Sequence, residues 1–176
     1  MTTTSPAGST PAPAATPATL TSPYARAEFH QFDFWIGEWE VHAGDKLAGH
    51  STIAPIAGGC GISENWRSAS GTGDGVSYNA WDPVDRHWRQ FWISSQGYVL
   101  RLQGGLRDGS MVMEGEMPNP QSGHMDRQRI TWTPNVDGSI RQHWEASVDG
   151  GKTWTSSFDG LCRRVGLSTQ NSGAKR

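Results

Sequence analysis

Phe32-Asp33-Phe34-Trp35-Ile36-Gly37-Glu38-Trp39-Glu40-Val41 changes its hydrophobic period midway. Phe32, Trp35, Ile36 and Trp39 fall at i, i+3, i+4 and i+7, the spacing of one helical face. From Gly37 onward, Glu38-Trp39-Glu40-Val41 alternates with period two, as a half-buried strand does. The stretch therefore predicts a short helical turn that breaks at Gly37 and feeds a first strand. The aromatics of the turn are expected to cover one end of whatever that strand builds.

Downstream, turn-forming residues recur at short intervals: Ala43-Gly44-Asp45, Gly58-Gly59, Gly71 to Gly75, Asp82-Pro83, Gln96-Gly97, Asp108-Gly109, Pro118 to Gly123, Asp137-Gly138 and Asp149-Gly150-Gly151. The runs between them are rich in Trp, Ile, Val, Thr and Tyr, the antiparallel all-β signature. About ten strands are expected, at 36–43, 47–56, 60–67, 75–82, 86–94, 97–104, 110–117, 125–133, 138–147 and 152–165. No long helical pattern intervenes, so parallel crossover units are excluded. A meander this regular favours an up-and-down antiparallel β-barrel, because closure removes both exposed edges. Tyr24 to Gln31 reads as a short helix leading into Phe32.

Residues 1–23 contain only Thr, Ser, Pro, Ala and Gly apart from Met1 and Leu20. Such a segment buries too little apolar surface to offset its ordering entropy. The expected organisation is a disordered tail over 1–23, one barrel domain over 24–166 and a second tail over 167–176. The tail has no basic n-region and no continuous apolar run, so a cytoplasmic location is the expectation. The formal net charge of -2 offers no basic patch for nucleic acid, and no apolar run is long enough to cross a bilayer. A monomer or homodimer is expected. Cys60 and Cys162 are the only cysteines and do not make a disulfide framework; both are expected to be reduced and buried.

Nine tryptophans are more aromatic surface than a core of this size usually needs. Alternation proposes which of them face inward. Cys60, Ile62, Glu64 and Trp66 share one side of the third strand, Trp88, Gln90 and Trp92 one side of the fifth, and Ile140, Gln142, Trp144 and Ala146 one side of the ninth. On the fourth, either Val76, Tyr78 and Ala80 or Ser77, Asn79 and Trp81 face in. Glu64, Gln90 and Gln142 are the exceptions on these apolar faces, where an unpaired polar group costs roughly 1–3 kcal/mol. Two resolutions stay open: a barrel interior that holds a ligand, or pairing among buried structural polars. Glu64, Trp66, Tyr78, Gln90, Trp92, Gln142 and Trp144 are the candidate ligand-binding residues. Glu64 is also the one candidate for acid–base catalysis, since burial beside Trp66 would raise its pKa.

Ser147-Val148-Asp149-Gly150-Gly151-Lys152-Thr153-Trp154 matches the S-x-D-x-G-x-x-W pattern of an Asp-box, a hairpin whose aspartate accepts turn amides. One copy does not make a propeller. Gly37-Glu38-Trp39 matches the G-x-W that opens the first strand of lipocalin-like barrels, where an arginine from the last strand lies over the indole; Arg163 or Arg164 is placed for that part. The six histidines, His30, His42, His50, His87, His124 and His143, show no metal-ligand spacing. No metal or cofactor is expected, and although one histidine can ligate haem in a β-barrel, the sequence selects none.

Taken together, FDFWIGEW, GGCGISENW, GVSYNAWD, HWRQFWISSQG and SVDGGKTW…FDG resemble a bacterial family of unknown function with a lipocalin-like (calycin-like) β-barrel. The resemblance spans Phe32 to Arg164 and implies a central cavity but no agreed activity. Cys162 departs from it, standing where a tyrosine is expected in Phe-Asp-Gly-x-Tyr. In strand number the chain is also similar to nitrobindin-like haem barrels, but no proximal histidine motif matches and haem does not carry over.

Three functions follow from such a barrel. The first is a binding module for a hydrophobic or aromatic small molecule held between Trp66, Trp92 and Trp144. The second is an enzyme on the same barrel, a cyclase, isomerase or hydrolase of a polyketide- or terpenoid-like substrate, with Glu64 as acid–base. The third is a structural domain with a filled core.

Overall fold

A computed structural model describes residues 23–166 of the protein. The tails expected over 1–23 and 167–176 lie outside these residues, Pro23 excepted. Ten strands, β1 (Gly37–Ala43), β2 (Lys46–Ile56), β3 (Gly61–Ser68), β4 (Gly75–Asp82), β5 (His87–Ser94), β6 (Val99–Arg107), β7 (Ser110–Pro118), β8 (Met125–Pro134), β9 (Ile140–Ser147) and β10 (Thr155–Arg164), pair antiparallel with their sequence neighbours. β1 then pairs with β10, with Trp39 opposite Arg164 and Val41 opposite Cys162, and the sheet closes into an up-and-down barrel. Closure leaves no edge strand to template association.

The period change around Gly37 is where the chain switches structure. Asp33–Trp35 forms a 3-10 turn, Ile36 caps it and β1 begins at Gly37. The Trp39 indole donates to the Trp35 carbonyl at 2.8 Å, tying the strand back to the turn. Gly37 sits at φ +146°, and a Cβ there would run into the Arg164 guanidinium, which lies 4.4 Å from the Trp39 ring. The short helix expected over Tyr24 to Gln31 is present as two 3-10 helices, Pro23–Ala25 and Ala27–His30.

The turn segment seals one end of the barrel. Phe32 and Trp35 are fully buried and stack at 4.9 Å between ring centroids. Phe32 also meets Trp88 and Trp132 edge-on at 5.7 and 5.2 Å, favourable geometry for aromatic pairs. Inward side chains of β5 to β9, including Trp88, Leu102, Met111, Met113 and Ile140, fill the barrel beneath this plug.

Two strands depart furthest from the expected bounds: β6, expected over 97–104, runs Val99–Arg107, and β10, expected from 152, begins at Thr155. Residues 149–154 are held in the hairpin turn by Asp149. Its carboxylate accepts from the Thr153 hydroxyl at 2.6 Å and from the amides of Lys152 and Thr153 at 2.9 Å each. These donors, the Thr153 hydroxyl foremost, hold Asp149 well below the usual carboxylate range. The Trp154 indole donates to the Gly151 carbonyl at 3.1 Å, and Arg129 lies over its ring at 4.0 Å. Cys60 and Cys162 are both free thiols; Cys162 is buried, whereas Cys60, expected to be buried as well, is only half-buried just before β3.

Candidate functional site

Beyond the plug, the interior is open. Inner-face residues of β3, β5, β6, β8, β9 and β10 enclose a cavity of about 280 Å³. Its walls are mainly aromatic: Trp66 on β3, Trp92 on β5, Trp132 on β8, Trp144 on β9 and Phe158 on β10, with Tyr98 from the β5–β6 loop. Gly73 of the β3–β4 loop also lines it, which places the cavity at the end of the barrel opposite the plug. Trp132 belongs to both regions. It packs on Phe32 and on Trp35, at 5.3 Å from the latter, and it also lines the cavity, so it forms a floor between them.

Glycines on neighbouring strands make room for two of the wall indoles. A Cβ on Gly49 of β2 would stand 2.7 Å from Cη2 of Trp66, and a Cβ on Gly75 of β4 would collide with the Trp92 ring. Larger residues there would push the indoles out of place. Trp144 is fixed differently: its indole donates to Gln128 Oε1 at 2.7 Å, and Gln128 Nε2 donates to the Asp126 carbonyl at 3.3 Å.

One wall is polar. Glu64, only 5% exposed, accepts a hydroxyl on each carboxylate oxygen, from Ser51 of β2 and Ser77 of β4, both at 3.0 Å. The second serine ends a directed chain. Gln90 Nε2 donates to Asn79 Oδ1 at 2.8 Å, and Asn79 Nδ2 donates to Ser77 Oγ at 2.9 Å. Asn79 Nδ2 also donates to the Ile62 carbonyl at 3.3 Å. That carbonyl can only accept, so it fixes which way the Asn79 amide points, and Gln90 must follow. Every hydrogen in the chain then points toward Glu64. Register builds it: Glu64 faces Ser77 across β3–β4, and Asn79 faces Gln90 across β4–β5.

The arrangement supports a carboxylate, yet burial works against its charge. Desolvation pushes the Glu64 carboxyl up to about 7, with the hydroxyls of Ser77 and Ser51 pulling the other way. Cys162, fully buried, has its thiol pushed up to about 12, first by burial and then by the nearby Glu64 charge. It is no candidate nucleophile. Glu64 is the only acidic side chain lining the cavity, and no lysine, arginine or histidine lines it among the described residues.

Six of the seven candidate residues thus line one cavity: Glu64, Trp66, Gln90, Trp92, Gln142 and Trp144. Tyr78 is the correction. It is 55% exposed on the outer face of β4, because Ser77, Asn79 and Trp81 take the inward positions. Polar Ser77 and Asn79 face in because Glu64 and Gln90 on the flanking strands give them partners. The sequence reading missed Ser51, Ser77 and Asn79 as the Glu64 network, and Tyr98, Ile130, Trp132 and Phe158 as walls. Alternation on β8 carries a signal for the inward pair Ile130 and Trp132, whereas Tyr98 lies in a loop with no periodicity to place it.

Among the described residues, no group of three or more His, Cys, Asp or Glu side chains is placed to hold a metal ion, and no helix is long and apolar enough to cross a membrane. Compared with models of known protein families and with curated proteins, the chain matches none.

Proposed function

We propose that the barrel is a small-molecule binding protein that holds a hydrophobic or aromatic ligand in the cavity bounded by Trp66, Trp92 and Trp144. The observation that carries this reading is the cavity itself, about 280 Å³ with predominantly aromatic walls and one organised polar wall. Small-molecule sites share that character, and their volumes start at roughly 300 Å³. An interior filled by side chains would leave no space beyond the roughly 30 Å³ of a water molecule. The Arg164 guanidinium over Trp39, next to Gly37, supports the lipocalin-like character of the barrel. Tryptophan fluorescence across a panel of lipids, flavonoids and polyketides, with native mass spectrometry of protein purified from its own host, tests the reading. A saturable shift or a co-purified small molecule is expected; neither would sink it.

One observation favours a second reading, catalysis on a polyketide- or terpenoid-like substrate. A cavity carboxyl that titrates near neutrality suits an acid–base role. Full turnover of such a substrate by a Glu64→Gln variant would remove that role.

A further inference from the structure

We infer that the cavity takes a cationic amine, with its ammonium group against Glu64 and its apolar part among the indoles. This rests on the binding reading above and names the ligand's chemistry. Three independent features converge on it.

The first is the direction of the hydrogen bonds. Both Glu64 oxygens receive hydroxyl donors, and the relay from Gln90 through Asn79 to Ser77 ends by donating to Oε2. A network with this polarity suits an anion. An ionised carboxylate has about four lone-pair sites, and the serines use one on each oxygen. Lone-pair sites therefore remain for further donors, and Glu64 is one of the residues that line the cavity.

The second is the missing counter-charge. The lining holds one acidic group and no basic one. A buried carboxylate without a cation is costly, and burial pushes the Glu64 carboxyl up to about 7. An ammonium ion supplied by the ligand completes the pair. A ligand carboxylate would place two like charges in one low-dielectric space, so the same wall selects against anions.

The third is the aromatic surround. Trp66, Trp92, Trp132, Trp144, Tyr98 and Phe158 line the same space. Indole faces attract cations, and aromatic boxes are a recurring solution for ammonium ligands. The volume of about 280 Å³ suits a small arylalkylamine better than a lipid or a macrocycle.

Binding then moves a proton. Below pH 7 the free protein holds Glu64 as the neutral acid, and the arriving ammonium ion remains protonated. Glu64 ionises, and one proton leaves to solvent for each amine bound. Ser51 and Ser77, which face Glu64 from β2 and β4, do not titrate in this range. Of the titratable neighbours, the Cys162 thiol on β10 stays protonated, and Tyr98 is the other ionisable group of the lining.

The test is isothermal titration calorimetry of the wild-type protein with 2-phenylethylamine, 2-phenylethanol and phenylacetate. These probes share the ring and differ in the head group. The amine is expected to bind about tenfold to a hundredfold more tightly than the alcohol, the worth of a charge-assisted hydrogen bond. Phenylacetate is expected to bind weakest. At pH 6, titrations in buffers of different ionisation enthalpy are expected to show close to one proton released per amine and none per alcohol. The Glu64→Gln variant is expected to lose both the amine preference and the proton release. Should that variant fail to fold, the wild-type comparison and its proton count decide alone. Equal affinities for amine and alcohol, or tighter binding of phenylacetate, would overturn the cationic ligand and leave the binding reading intact. If none of the three binds, the cationic ligand is likewise overturned. Absence of any fluorescence response or co-purified molecule would separately overturn the binding reading.

Discussion

Replacing Glu64 with glutamine should abolish a pH-dependent loss of stability in the folded barrel. The buried carboxyl titrates at about 7, against an ordinary value of 4.5. At about 1.4 kcal/mol for each tenfold change in proton affinity, that difference corresponds to about 3 kcal/mol. The sign follows from which state holds the proton. Below pH 4.5 the group is protonated in both folded and unfolded chains and contributes no pH dependence. Between pH 4.5 and 7 the unfolded chain ionises while the folded one stays neutral, so the unfolded state gains and stability falls. Above 7 both are ionised, and the loss is complete.

Glutamine keeps the shape and cannot ionise. Its oxygen can still accept from the Ser77 hydroxyl, and its amide can donate to Ser51, whose hydroxyl is free to turn. The assay is urea unfolding of wild type and Glu64→Gln at pH 5, 6, 7 and 8, followed by tryptophan fluorescence. Histidines and exposed carboxylates contribute equally to both proteins and cancel in the difference. The wild type should lose about 2.5 kcal/mol relative to the variant between pH 5 and 8, most of it below pH 7. A difference that stays constant across this range would refute the reasoning. It would mean that Glu64 is solvated or already paired, with no unmet charge to offer a ligand.

Three further outcomes follow from the packing. Phe32→Ala empties a fully buried ring that contacts Trp35, Trp88 and Trp132, and should cost about 3–5 kcal/mol by chemical denaturation. Gly75→Ala places a Cβ against the Trp92 ring; it should cost about 1–3 kcal/mol and shift the emission maximum as that indole moves. Arg164→Ala removes the cation over Trp39 and should lower stability by about 0.5–1 kcal/mol, measured by thermal melts, with little change in cavity binding.

Much of the architecture was legible because it follows from local periodicity. A barrel of consecutive hairpins needs only strands, turns and closure, and each left a mark in the chain. The helical spacing of Phe32, Trp35 and Ile36 marked the plug, and Gly37 marked the switch into β1. Alternation on β3, β5 and β9 placed Glu64, Trp66, Gln90, Trp92, Gln142 and Trp144 inward. It failed to decide β4, where both faces carry plausible residues. Tyr78 is large and aromatic, yet the inward positions went to Ser77 and Asn79. A hydrophobicity pattern favours the tyrosine. Pairing reverses the choice, because only polar residues on β4 can meet the buried carboxylate of β3 and the buried amide of β5.

That reversal explains why the chemistry of the site was harder to read than its location. A charged residue on an apolar strand face signals that something must satisfy it, and Glu64 carried that signal alone. What satisfies it is spread over three other strands and becomes contiguous only through register: Ile53 opposite Glu64 places Ser51 within reach, Glu64 opposite Ser77 supplies the second hydroxyl, and Asn79 opposite Gln90 completes the relay. A slip of one residue in any pair would turn a donor to the outer face and leave an unsatisfied group beside a carboxylate. The register that closes the barrel therefore also sets the electrostatics of its cavity. The strand pairing brings a hydroxyl donor to each oxygen of Glu64 and, among the described residues, no basic side chain to the lining of its cavity.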